Sequence, residues 1–120
     1  MSPAVLLMVD DDASNRDRLQ EAWPTLDAGL RLVTAASTDE ALDIATKRYC
    51  DVVATDHRPG LPGIKILDAV HRMCPGTRLI LTPARLTTRL LVEASELPPY
   101  RVLAKPFTPR QLAEAASLEA

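Results

Sequence analysis

Carboxylates cluster at the end of an apolar run near the start of the chain. Residues 5–12 read VLLMVDDD, so five apolar residues lead directly into Asp10, Asp11 and Asp12. Like charges at the end of a buried element cost stability unless a cation lies beside them. Other polar residues follow later apolar runs, at Asp56, Thr82 and Lys105.

These residue types together indicate phosphoryl chemistry. Carboxylates without neighbouring His or Cys are hard oxygen ligands, which select Mg²⁺ and leave a coordination position for a phosphate oxygen. Lys105 supplies a mobile point charge suited to phosphate, and Thr82 supplies a hydroxyl donor. A carboxylate can itself attack phosphorus to give an aspartyl-phosphate, with the protein contributing position and charge neutralisation.

Composition narrows the class of protein. The chain has 120 residues, 47% of them hydrophobic and 25% charged, which predicts one globular domain over residues 1–120. A formal net charge of −2 implies no general attraction to nucleic acid or to a membrane surface. The absence of a signal-peptide pattern and of a long apolar run favours a cytoplasmic location. We expect Cys50 and Cys74 to be free thiols.

Short apolar runs alternate with segments of helical periodicity along the chain. The runs are bounded by Gly, Pro or polar residues and are typical of buried strands. We predict strands at residues 4–9, 30–35, 52–55, 78–81 and 101–104. We predict helices at residues 14–23, 64–73 and 87–96, and two more that begin at the capping-box sequences of Ser37 and Thr108.

Five strand–helix units in strict alternation predict a parallel sheet covered on both faces. We expect the α/β flavodoxin-like, doubly wound fold, with five strands in the order 2-1-3-4-5 and five helices on two faces. Such sheets bind ligands beyond the carboxyl ends of the strands, where the winding reverses. In this order that point lies between the first and third strands, which end at Asp10 and Asp56 respectively.

Four sequence blocks then resemble a known family. They are VDDD at 9–12, DVVATDHRPGLPG at 51–63, LILTPA at 79–84 and AKPF at 104–107. In this order, on this alternation, they are similar to the receiver domains of two-component response regulators. The resemblance covers nearly the whole chain.

The resemblance implies a metal site. Asp10 and Asp11 match the acidic pair of such domains, with Asp11 the more direct ligand. Asp56 matches the phosphoacceptor, which also binds the metal, and the backbone carbonyl of Arg58 matches the third protein ligand. The implied cofactor is Mg²⁺.

The resemblance also implies a switch. Thr82 and Lys105 match the hydroxyl and the ammonium group that contact the phosphoryl group, and the Lys105–Pro106 bond is commonly cis in the family. A sensor histidine kinase or phosphotransfer protein would donate to Asp56. The surface of the fourth helix, fifth strand and fifth helix would then dock a target or a second copy. Such a domain is a regulator that only phosphorylates and dephosphorylates itself.

Three residues depart from the family pattern. Val102 stands where an aromatic residue is usual, with Tyr100 two residues earlier, and we expect Val102 to be a core residue. Pro83 follows Thr82 and removes an N–H that binds phosphoryl oxygen in such sites. Arg58 either lies over the phosphoryl group and shields it from water or points to solvent.

Other functions remain open at this point. A degenerate receiver would keep the fold and serve as an interaction module without phosphorylation; Pro83 and Val102 favour it, and the complete acidic, hydroxyl and lysine set opposes it. An aspartate-dependent phosphatase would want a second acid where Arg58 stands. A flavin carrier would want a hydroxyl-rich phosphate loop in place of the acidic one.

Overall fold

The structure is a computed structural model, and it describes residues 3–96 and 100–117. Five strands and five helices alternate in it. The strands are β1 (Ala4–Val9), β2 (Leu30–Ala35), β3 (Val52–Thr55), β4 (Arg78–Leu81) and β5 (Arg101–Val102). The helices are α1 (Ala13–Ala22), α2 (Thr38–Lys47), α3 (Gly63–Met73), α4 (Thr88–Ala94) and α5 (Pro109–Ala116), and a 3₁₀ turn, Trp23–Thr25, follows α1.

The strands form one parallel sheet in the order β2-β1-β3-β4-β5, which confirms the predicted fold. The strands end level, because Val9 pairs with Thr55, which in turn pairs with Leu81. The hydrogen-bond ladder continues one residue further: Asp56 N–H donates to the Val9 carbonyl at 3.0 Å, and Thr82 N–H to the Thr55 carbonyl at 2.8 Å. The polar residues after β1, β3 and β4 therefore share one edge of the sheet.

Each face of the sheet has its own hydrophobic core. Leu7 and Val9 of β1 belong to one cluster, which also includes Ile66 and Leu67 of α3. The alternate residues Leu6 and Met8 belong to the other. That second cluster contains Leu19, Trp23, Phe107 and Leu112. Both faces of β1 are buried, as expected for a strand inside a doubly covered parallel sheet.

Side-chain caps fix where the helices begin. The capping box predicted at Thr108 is present, since its hydroxyl accepts from Gln111 N–H and the Gln111 side chain accepts from Thr108 N–H. At α2 only half of the predicted box forms. The Ser37 hydroxyl accepts from Glu40 N–H at 3.2 Å, but the Glu40 carboxylate accepts from Ala36 N–H instead of Ser37 N–H.

The edge around β5 differs from the sequence prediction. The strand covers two residues rather than 101–104, and α4 is shorter than the predicted 87–96. The expectation that Val102 is a core residue is wrong, because Val102 is 40% exposed. Val102 lies on an edge strand that pairs with one neighbouring strand. Tyr100 is partly buried and packs against the hydrophobic cluster that includes Ile66 and Leu67 of α3. Among the described residues, no helix is long and apolar enough to cross a membrane.

Candidate functional site at the carboxyl edge of the sheet

Three carboxylates from two strand ends meet at this edge. Asp10, Asp11 and Asp56 each offer an oxygen, and these oxygens lie within 4.8 Å of one another. Asp10 and Asp56 are 1% and 0% exposed, whereas Asp11 is exposed. The level ends of β1 and β3 bring them together, as the topology predicts.

Lys105 closes the pocket from the far end of the chain. Its Nζ donates to Asp10 Oδ2 at 2.8 Å and to Asp56 Oδ2 at 3.1 Å. The backbone carries it there, because Leu103 N–H donates to the Leu81 carbonyl and Lys105 N–H to the Pro83 carbonyl. The Lys105–Pro106 peptide is cis, as the resemblance implies. Partly buried and shared by two carboxylates, this ammonium offsets part of the negative charge.

Arg58 also points into the pocket. Its Nε and Nη2 lie 2.7 and 2.6 Å from Asp56 Oδ2, and its Nη1 lies 3.4 Å from Asp11 Oδ1. Partial burial lowers the pKa of the guanidinium, but the Asp56 and Asp11 charges outweigh it and raise that pKa above its ordinary value. Of the two predicted orientations of Arg58, the side chain adopts the one over Asp56.

The loop that carries Arg58 is itself held by backbone pairing. Arg58 N–H donates to the Leu61 carbonyl at 3.1 Å, and Leu61 N–H donates to the Arg58 carbonyl at 2.9 Å. Gly60, between them, has φ of 88°, which glycine adopts without strain. The Arg58 carbonyl, which the resemblance implies is a metal ligand, therefore already accepts one hydrogen bond and keeps a second lone pair.

Gly63 fits closely under Asp56. A Cβ at position 63 would lie 2.2 Å from the Asp56 carbonyl oxygen, so only glycine fits there without movement. Asp56 is held on its other side too, because its Oδ1 accepts from His57 N–H at 2.8 Å. The sequence of the loop thus fixes the position of the Asp56 carboxylate.

Thr82 lies at the end of β4 with its hydroxyl buried. This Oγ1 has no hydrogen-bond partner within residues 3–96 and 100–117. A buried hydroxyl without a partner costs free energy on the order of 1–3 kcal/mol. Pro83, also buried, follows it and carries no N–H.

The expectation that Asp12 groups with the other carboxylates is wrong, and no role was predicted for Asn15 and Arg16 of α1. Asp12 caps α1 instead of joining the carboxylate cluster. Its carboxylate accepts hydrogen bonds from the Ser14 hydroxyl and the Ser14 N–H, and these bonds lower its pKa. Arg16 Nη1 donates to the Asp10 carbonyl at 2.7 Å, and Asn15 Nδ2 lies 3.4 Å from Asp10 Oδ2. Their position at the start of a helix that begins at the pocket was the available signal.

The donor set fits a hard divalent cation. The three clustered ligand groups are carboxylates, and the carbonyl of Arg58 is a further oxygen in the same loop. Lys105 and Arg58 contact these carboxylates directly and offset part of their negative charge. A flavodoxin-like sheet with an acidic pocket closed by a lysine defines the class of receiver modules.

The chain belongs to the response regulator receiver domain family, whose sequence model matches residues 6–117. Receiver domains of this family are regulators in two-component systems. The assignment made from the four sequence blocks is thereby confirmed.

Curated relatives include both short and long proteins. Sporulation initiation phosphotransferase F of Bacillus subtilis (strain 168) is 32% identical over 111 residues, which cover 92% of this chain and 88% of that protein. Hydrogenase transcriptional regulatory protein HoxA of Cupriavidus necator is 30% identical over 125 residues, which cover 97% of this chain and 25% of HoxA. The chain thus spans about a quarter of the length of HoxA and of the similar regulator NtrC of Klebsiella pneumoniae.

Solved structures share the fold. Chemotaxis protein CheY4 of Vibrio cholerae superposes with a TM-score of 0.79 at 28% identity, covering 94% of this chain and 95% of that one. The signal receiver domain of an HD domain-containing protein from Pseudomonas fluorescens Pf-5 gives 0.82 at 28% identity, covering 95% and 91%.

Proposed function

We propose that residues 1–120 form one receiver domain that acts as a phosphoacceptor switch in the cytoplasm. Asp56 would accept a phosphoryl group from a sensor histidine kinase or a phosphotransfer protein. One observation carries the proposal: the buried Asp56 carboxylate lies within hydrogen-bond distance of Lys105 and beside the Asp10–Asp11 pair. Buried carboxylates paired with cations contribute little net stability, and such a cluster at a strand end marks a candidate functional site.

In the proposed step an Asp56 oxygen attacks phosphorus of the donor's phosphohistidine. The new P–O bond forms as the P–N bond breaks, and the electron pair returns to the imidazole nitrogen, which takes up a proton. Lys105 holds the Asp56 carboxylate in place before the step and offsets the charge of the phosphoryl group after it. Hydrolysis by water later restores Asp56.

Mg²⁺ is the proposed cofactor. Asp10, Asp11, Asp56 and the Arg58 carbonyl would hold it, and the three carboxylate oxygens are close enough to share one ion. When bound, the ion neutralises negative charge as the phosphoryl group arrives. The chain's own residues supply the rest of the site.

Thr82 supports the proposal through its unpartnered hydroxyl. A phosphoryl oxygen on Asp56 would give this buried donor its missing acceptor, since the two residues follow paired strands. The adjacent Pro83 lacks the N–H that receivers use at this position, so the phosphoryl group would have one donor fewer. We therefore expect slower phosphorylation than in receivers with an N–H there.

The proposed output surface is formed by α4, β5 and α5. Leu91, Val92 and Val102 on it are exposed hydrophobic residues, which suit a partner or a second copy of the chain. Val102 takes the place of the usual aromatic residue, and Tyr100 packs against the core. A change at Asp56 would reach this surface through β4 and β5 without that aromatic side chain.

A degenerate receiver, acting without phosphorylation, is the second candidate. The guanidinium of Arg58 on Asp56 favours it, because this group lies against the proposed nucleophile. Acetyl phosphate with Mg²⁺, followed by intact mass spectrometry, separates the two candidates. The phosphoacceptor proposal expects one added phosphoryl group on the parent and on Asp68→Asn, and none on Asp56→Asn. An unmodified parent, or equal modification of Asp56→Asn, contradicts it.

A further inference from the structure

We propose that the Arg58 guanidinium is a built-in cation that competes with divalent metal for Asp11 and Asp56. The side chain would occupy the metal's place while magnesium is scarce and leave when magnesium binds. This inference rests on the proposed function in one respect, namely that these carboxylates are the metal ligands.

The contacts of Arg58 are those of a bridging cation. One guanidinium contacts two carboxylates, Asp56 through Nε and Nη2 and Asp11 through Nη1. Both carboxylates belong to the cluster whose oxygens could hold one ion. A divalent ion that binds the same two oxygens, Asp56 Oδ2 and Asp11 Oδ1, would displace this contact.

The positive charge of Arg58 determines that it weakens metal binding. The guanidinium stays protonated at any physiological pH, so it reduces the negative charge that attracts a second cation. Lys105 contacts Asp10 and Asp56, and among the described residues Arg58 is the cation that contacts both Asp11 and Asp56. Removing Arg58 should make the pocket more attractive to Mg²⁺.

Arg58 is free enough to leave. Its side chain is 36% exposed, in contrast to 15% for Lys105. An open cavity of about 430 Å³, lined by His57, Arg58, Thr87 and Glu93, adjoins the loop. The displaced guanidinium could lie there near the Glu93 carboxylate while the Arg58 backbone keeps its pairing with Leu61.

The test measures Mg²⁺ binding directly by isothermal titration calorimetry, without any phosphodonor. Arg58→Gln removes the charge and keeps a polar side chain. Arg58→Lys keeps the charge but lacks the planar guanidinium that contacts two carboxylates at once. Arg89→Gln is the matched control, because Arg89 lines the same cavity but pairs with Glu93 at 3.2 Å. We expect Arg58→Gln to bind Mg²⁺ about tenfold more tightly than the parent, the value of one charge-assisted contact at a partly exposed site.

Arg58→Lys should fall between Arg58→Gln and the parent, and Arg89→Gln should match the parent. The rise in melting temperature caused by millimolar Mg²⁺ should follow the same order. Equal dissociation constants for the parent and both Arg58 variants would overturn the competition, and an intact mass shift with acetyl phosphate would then leave the proposed function standing. If neither the parent nor Arg58→Gln binds Mg²⁺, both the competition and the proposed metal site are wrong.

Discussion

Replacing Gly63 with alanine tests how the α3 N-terminus positions Asp56. The added Cβ would lie 2.2 Å from the Asp56 carbonyl oxygen and 3.1 Å from its carbonyl carbon. A carbon–oxygen contact normally needs about 3.3 Å, so the helix and the loop must separate by about 1 Å. Since both groups are backbone, no side-chain rotation can relieve the overlap.

The cost follows from that displacement. Overpacking of a well-packed site costs about 1–3 kcal/mol, and alanine regains up to about 1 kcal/mol of backbone entropy relative to glycine. We expect a net loss of about 1 kcal/mol in the free energy of unfolding, which lowers the melting temperature by about 4 °C. A shift of about 1 Å at Asp56 should also slow phosphoryl uptake by about tenfold or more.

Thermal unfolding and acetyl phosphate uptake, measured on the same preparations, give both readouts. Gly76→Ala is the matched control, because its Cβ would meet only the Tyr49 hydroxyl at 3.3 Å, and that side chain can move. We expect Gly76→Ala to stay close to the parent in both measurements. Should Gly63→Ala melt and react like Gly76→Ala, the close fit of α3 beneath Asp56 does not constrain the site.

Three further changes have defined outcomes. Pro83→Ala should restore a backbone donor and speed phosphoryl uptake from acetyl phosphate by about tenfold, while flexibility in the unfolded chain costs up to about 1 kcal/mol of stability; uptake no faster than the parent contradicts the missing-donor argument. Thr108→Ala should destabilise the domain by about 1 kcal/mol in urea unfolding, because it removes the hydroxyl that accepts from Gln111 N–H at the start of α5; a change no larger than that of the exposed Thr46→Ala would count against the cap. Burial raises the pKa of the Cys50 thiol, so Cys74 should react first with iodoacetamide at pH 8, as peptide mapping would report; faster labelling of Cys50 in the folded protein would contradict this.

The strands were predictable because their signal is local. Runs such as AVLLMV at β1 are apolar on both faces, and polar or turn residues mark their ends. Once the strand order follows from the alternation, Asp10 and Asp56 must lie side by side, because parallel neighbours end at one edge. The convergence of the three carboxylates and Lys105 was therefore within reach of sequence reasoning.

Side-chain choices at the surface were not predictable in the same way. The Arg58 guanidinium gains similar free energy from a carboxylate and from water, so its orientation depends on its distance from Asp56. The sequence alone does not give that distance. Asp12 resembles its two neighbours in type, but its place one residue before α1 makes it a cap. Val102 has the composition of a core strand residue and is exposed because β5 is short and lies at the edge.

The strand that leads to Lys105 is the most weakly anchored part of the sheet. Within the described residues β5 pairs with β4 through Arg101 and Val102, both exposed, whereas β1 pairs along six residues with β2. Amide hydrogen exchange should therefore be fastest at this edge, since opening free energy follows burial and pairing. Lys105 contacts Asp10 and Asp56, which lie 95 and 49 residues earlier in the chain, so these ionic contacts stabilise the β5 edge of the sheet. Any change in the charge of Asp56 would then alter how often the β5 edge of the sheet opens.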